Sequence, residues 1–279
     1  MAYLVTLDVF SGRENPTWVI PDSEANDVRA RIRETGKGLA SASPSDILGY
    51  RGIRITPIER QDSEKEPLLE SGGEADGSIY ISNIPELEDY LLATGGSLVE
   101  DVVSRHVKEM LAQPNLRNSS PQMAASCPPC NAADAPAYDP GFWNIPARQP
   151  YNNCYNYANN QATNTFAQPG RATGRPITGL SCGGVQPSAQ SDGLIPTANF
   201  SAPLAPGKGW YVALVIWPGV DYHWYRQDNV GCWSHKPGQT AVRNTDNSGN
   251  RITDPRTCNR GGYTDFCTYM NTGRWARIR

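Results

Sequence analysis

No stretch of the chain approaches the eighteen or so apolar residues of a membrane-spanning helix; the longest apolar run, WYVALVIW at 210–217, has the length of a strand. That excludes a helical membrane span. A phosphate-cradling loop, a dinucleotide glycine motif, an internal repeat and any interleaving of basic with aromatic residues are all missing, so nucleotide-dependent and nucleic-acid-binding classes fall away. The N-terminus, MAYLVTLDVF, carries no basic segment and Asp8 interrupts its apolar stretch, so it does not read as a cleaved leader. The expectation is a cytoplasmic location or export by a leaderless route. No cysteine occurs in the first 126 residues, and the whole chain has three histidines. CPPC at 127–130 has no second pair at metal-ligand spacing and no thioredoxin-like strand-to-helix context, so neither a metal nor another cofactor is expected.

What is present is turn-rich: 26 glycines and 23 prolines among 279 residues, against 38% hydrophobic residues. Charge divides unevenly, with residues 1–112 near −9 and residues 113–279 near +6. Such a contrast suits either two modules that dock on one another or independent solvated faces.

YLVTLDVF and TWVI read as a hairpin across SGRENP, DSEANDVRARIRETG as a charged helix, and YRGIRITPIE and GSIYISN as strands. SLVEDVVSRHVKEMLAQP opens with the capping-box pattern Ser97 and Glu100, and His106 lies on its solvated surface. Residues 1–112 thus form an acidic α+β domain. Residues 113–140, dense in Pro, Ala and Ser, read as a linker, and 141–279 as a second domain. There a helix over 154–166 is expected against an antiparallel meander: GWYVALVIW as a central strand, then HWYRQD and CWSHK joined through Asn229, Val230 and Gly231. The fold class is α+β.

With Cys154 set aside, six cysteines remain, an even number that admits three bridges and an oxidising destination. Cys154 follows Asn152 and Asn153 at a helix start, where unpaired amides and the helix dipole favour a thiolate. His223 opens the strand after the PGVDY turn and is the candidate base. His235, twelve residues on, would lie roughly opposite across a hairpin centred near Asn229 and orient that base. Asn244 or Asp246 is the fallback third member. Tyr151, Tyr155, Trp224 and Trp233 are candidates to line a substrate groove, and Arg243, Arg251, Arg256 and Arg260 follow in turn-rich sequence.

The order of Cys154, His223 and His235 over residues 150–240 resembles the papain-like superfamily, most nearly its NlpC-type branch. That branch commonly reads Asp-Cys-Ser-Gly where this chain has Asn153, Cys154, Tyr155 and Asn156. The resemblance implies a papain-like domain and a thiol hydrolase, a cysteine peptidase or amidase acting on a peptide or amide substrate through a thioester acyl-enzyme. Acyl transfer, deamidation or transglutaminase-like chemistry, such as a secreted toxin or effector uses, shares the same residues. A disulfide-stapled, non-enzymatic binding module is the rival from another class.

Overall fold

The computed structural model describes residues 1–35, 39–40, 47–58, 77–112 and 126–279. It is α+β, and the chain divides into two compact units. The first takes in Met1–Val9, Asn15–Ser45 and Tyr50–Leu116; the second takes in Phe10–Glu14, Asp46–Gly49 and Arg117–Arg279.

In the first unit a five-stranded antiparallel sheet has the order β2-β1-β4-β5-β3, from β1 (Ala2–Asp8), β2 (Thr17–Ile20), β3 (Leu39–Ala40), β4 (Gly52–Ile58) and β5 (Ile79–Ile81). Helix α1 (Asp22–Thr35) buries Ala25, Val28 and Ile32, whose spacing of three and four puts them on one helical face. Helix α2 (Pro85–Thr94), unanticipated in the sequence, starts with proline at its first turn and buries Leu87, Leu91 and Leu92. Helix α3 (Asp101–Ala112) begins later than the capping-box pattern implies: residues Gly96–Leu98 form a 3-10 turn, so Ser97 is not a cap. Arg51, fully buried, ion-pairs with Asp8.

The second unit is built on a sheet of order β6-β10-β7-β8-β9, from β6 (Ile195–Thr197), β7 (Trp210–Trp217), β8 (Asp221–Gln227), β9 (Trp233–His235) and β10 (Asp265–Thr272). β7 is the central strand, buried at every position, as a run apolar on both faces requires. Two disulfides, Cys127–Cys232 and Cys182–Cys267, staple it across 105 and 85 residues, while Cys130, Cys154 and Cys258 are free thiols. Three bridges therefore reduce to two. The first ties residue 127 to β9's start, so the segment 127–140, expected as linker, belongs to the second unit; residues 113–125 lie outside the described part. Asp139 caps the short helix α4 (Pro140–Trp143), its carboxylate accepting from Phe142 N–H at 2.9 Å. Helix α6 (Cys182–Ser191) is capped by Ser181.

Helix α5 spans Cys154–Ala158, five residues where thirteen were expected. It stops because Asn159 caps it and Asn160 turns left-handed at φ 52°, a conformation asparagine tolerates and a helix cannot continue through.

Candidate functional site

β8 and β9 pair with Tyr225 opposite His235, Arg226 opposite Ser234 and Gln227 opposite Trp233. The hairpin is therefore centred one residue beyond Asn229, and His223 is the diagonal neighbour of His235, not its direct partner. Both still project from the same face, because strand side chains repeat every two residues. His235 stacks on Tyr225 with ring centroids 4.8 Å apart and reaches His223, whose Nε2 lies 2.8 Å from His235 Nδ1. The tautomers follow from the far end of the chain of contacts. The carbonyl of Thr245 can only accept, so the His235 Nε2 at 3.1 Å carries the proton and donates to it. His235 Nδ1 then accepts, and His223 Nε2–H donates. Burial, with Arg243 beside it, pushes the His235 imidazole down to about 3, so the ring is neutral across ordinary pH. His223 and His235, the expected base and its expected orienting residue, are thus in contact.

Cys154 opens α5. Asn153 does cap α5, accepting from Tyr155 N–H at 3.0 Å and Asn156 N–H at 3.1 Å, while Asn156 Oδ1 accepts from Asn153 N–H in return. Yet the thiol is wholly buried and packs in one core cluster with Tyr155, Val212, Leu214, Ile216, Tyr222 and Trp224. Tyr222 and Trp224 flank His223 in β8 and so point to the opposite face. The other residues of α5 confirm which face the helix covers. Tyr157 bonds Ser234 at 2.7 Å, and Arg226 donates to the Tyr157 hydroxyl at 2.8 Å, both from the even-numbered side of the strands. Burial, reinforced by the Asp221 carboxylate, pushes the Cys154 thiol well above its ordinary value, overriding the helix start that was expected to favour thiolate.

The start of α5 is also sealed. Residues 11–13 wrap the Asp221 carboxylate with three backbone amides: Ser11 N–H at 2.6 Å, Gly12 N–H at 3.2 Å and Arg13 N–H at 3.1 Å. Tyr263 donates its hydroxyl to the same carboxylate at 2.6 Å. The Gly12 carbonyl in turn accepts from Asn153 Nδ2, Gln168 Nε2 and the Tyr222 hydroxyl. Glycine is required here, since a Cβ would meet the Tyr222 ring at 2.5 Å. Sequence reasoning passed over Asp221 and this loop; the only local signals were a carboxylate at the head of an apolar strand and a Ser-Gly-Arg turn.

The remaining expectations divide. Asp246 spends its carboxylate on the Ser248, Asn250 and Asn259 amides, while the Asn244 backbone carbonyl accepts from Ile252 N–H at 3.2 Å. Tyr155, Trp224 and Trp233 are core residues and line no groove; Tyr151 alone of the four is exposed, at 54%. The thiol on the imidazole face is Cys258, 3.9 Å from the Tyr225 hydroxyl and pushed up to about 12 by burial. Among the described residues no His, Cys, Asp and Glu cluster could hold a metal, and no helix is long and apolar enough to cross a membrane.

Fold and site together define an α+β protein whose second unit is stapled by two long-range disulfides and holds a buried, hydrogen-bonded histidine pair and a buried thiol. The chain is 52% identical over 141 residues to insoluble matrix shell protein 1 of Ruditapes philippinarum, a match covering 93% of that protein and 50% of this chain, and it belongs to that protein's family. No family model and no solved structure matches it.

Proposed function

We infer that this chain is a non-catalytic, disulfide-stapled matrix component of the kind its relative is named for. The observation that carries this reading is the 52% identity across 93% of an insoluble matrix protein of shell. Two features of the chain support it: a protonated, buried Cys154 is a poor nucleophile, and two bridges spanning 85 and 105 residues suit an oxidising, extracellular destination. Sequential extraction of the native source in buffer, in denaturant and in denaturant with reductant, followed by immunodetection, tests it. Recovery in the denaturant-resistant fraction is expected; recovery in the buffer extract, with amide turnover lost on Cys154→Ser, would overturn it.

A second reading is kept for one observation, the hydrogen-bonded His223 and His235 on adjacent strands with a capped cysteine on the helix beneath. It is a papain-like cysteine hydrolase or acyltransferase in which Cys154 attacks an amide, His223 is the base and His235 orients it. That chemistry needs the Cys154 thiol freed from burial and within reach of His223. Rapid, selective iodoacetamide labelling of Cys154 in the native protein at neutral pH would support it, and labelling only after unfolding would remove it.

A further inference from the structure

The second unit holds two adjoining hollows, of ≈ 230 and ≈ 350 Å³, that share Ala133, Asp134, Trp210 and Arg274 in their walls. Together they fall in the size range of small-ligand sites, about 300–1,000 Å³. Trp275 lines the first and is 42% exposed. Its position is built, not incidental. Gly209 and Gly273 pack against its ring so closely that a Cβ would lie 3.0 and 2.2 Å from it, and its indole N–H donates to the Gly193 carbonyl at 3.0 Å. One side of the indole thus rests on glycine backbone while the rest stays open to the cleft.

The polar groups around it are held in place as well. Asp134 accepts through one carboxylate oxygen from Gly207 N–H at 2.7 Å, Gly209 N–H at 3.3 Å and Asn131 Nδ2 at 2.7 Å, which fixes the carboxylate and commits only that oxygen. Gln161 donates its amide to the Ala276 carbonyl at 2.9 Å, and Asn160 accepts from Arg226 at 3.1 Å. Asp134 and Arg274 give the walls one charge of each sign, which favours neither an anion nor a cation.

From this cleft we propose that the second unit binds a neutral polysaccharide, one pyranose ring lying on the face of Trp275 and its hydroxyls meeting Asp134, Arg274 and Gln161. An aromatic plane matches the apolar C–H face of a pyranose, and fixed carboxylate, guanidinium and amide groups supply the paired donors and acceptors that equatorial hydroxyls need. The inference rests on the cleft alone and stands whichever reading of Cys154 holds.

Isothermal titration of the full chain with cellohexaose and with N-acetylchitohexaose tests it. Saturable binding of at least one is expected, weakened about tenfold by Trp275→Ala, the equivalent of ~1.4 kcal/mol, and largely retained in Trp275→Phe. Arg274→Ala alters an exposed side chain and keeps the test open should Trp275→Ala fail to fold; it should weaken binding without shifting Tm. Absence of heat with both oligosaccharides at millimolar concentration, binding undiminished in both alanine variants, or binding confined to a sulfated polysaccharide would each overturn the proposal.

Discussion

Lowering the pH from 8 to 5 should destabilise the second unit through one residue, His235. Its ring is buried on the imidazole face of the sheet and its pKa is depressed to about 3, whereas in the unfolded chain it returns to the ordinary value of about 6.5. Between those two values the unfolded state binds a proton that the native state refuses, so stability rises with pH across that window and is lost as pH falls through it. At pH 5 the gap of about 1.5 units below the unfolded value amounts to ~2 kcal/mol from this residue, and at pH 8 to almost nothing. Six of the seven tryptophans lie in the second unit, so urea unfolding followed by fluorescence reads that unit. Wild type and His235→Asn would be compared at both pH values, the variant retaining hydrogen-bonding capacity. Titrating groups that do not touch His235 contribute alike to both proteins, so the wild type should lose ~2 kcal/mol more than the variant on acidification. Equal losses, or a native His235 ring titrating near 6.5 by NMR, would refute a buried, neutral His235.

The native protein should leave Cys154 unlabelled by iodoacetamide at neutral pH, while denaturation without reductant should expose three thiols, Cys130, Cys154 and Cys258, by mass mapping. Replacing Cys182 and Cys267 with serine reopens an 85-residue loop in the unfolded chain and should cost about 4–5 kcal/mol in urea unfolding. Gly12→Ala forces a Cβ against the Tyr222 ring and backbone, and should lower stability by about 1–3 kcal/mol without change in the pH dependence assigned to His235.

Elements with a strong local pattern were legible in the sequence. β7 reads as central because it is apolar on both faces, and α1 because its buried positions recur every three or four residues. The contact between His223 and His235 was also legible, since an even spacing across a hairpin leaves two residues on one face even when the centre is displaced by a residue. The position of Cys154 was not. It depends on which face of the sheet α5 covers, decided by Tyr157 meeting Arg226 and Ser234, contacts some seventy residues apart. The same holds for the segment 127–140, whose linker-like composition conceals a bridge from Cys127 to Cys232. α2 was missed although Pro85 and the spacing of Leu87, Leu91 and Leu92 signalled it.

The loop over residues 11–13 is made near the beginning of the chain, and the carboxylate it encloses, Asp221, is made some two hundred residues later. Contacts so distant in sequence are entropically late, so the second unit can reach its final packing only after nearly all of the chain has been synthesised. Until then the backbone amides of residues 11–13 have no Asp221 carboxylate to donate to. A fragment beginning at 141 would have the converse defect, a carboxylate to bury and neither those donors nor the bridge from Cys127. Supplying residues 1–20 as a separate peptide would be expected to slow its unfolding measurably, a complementation that only a unit with an early and a late piece can display.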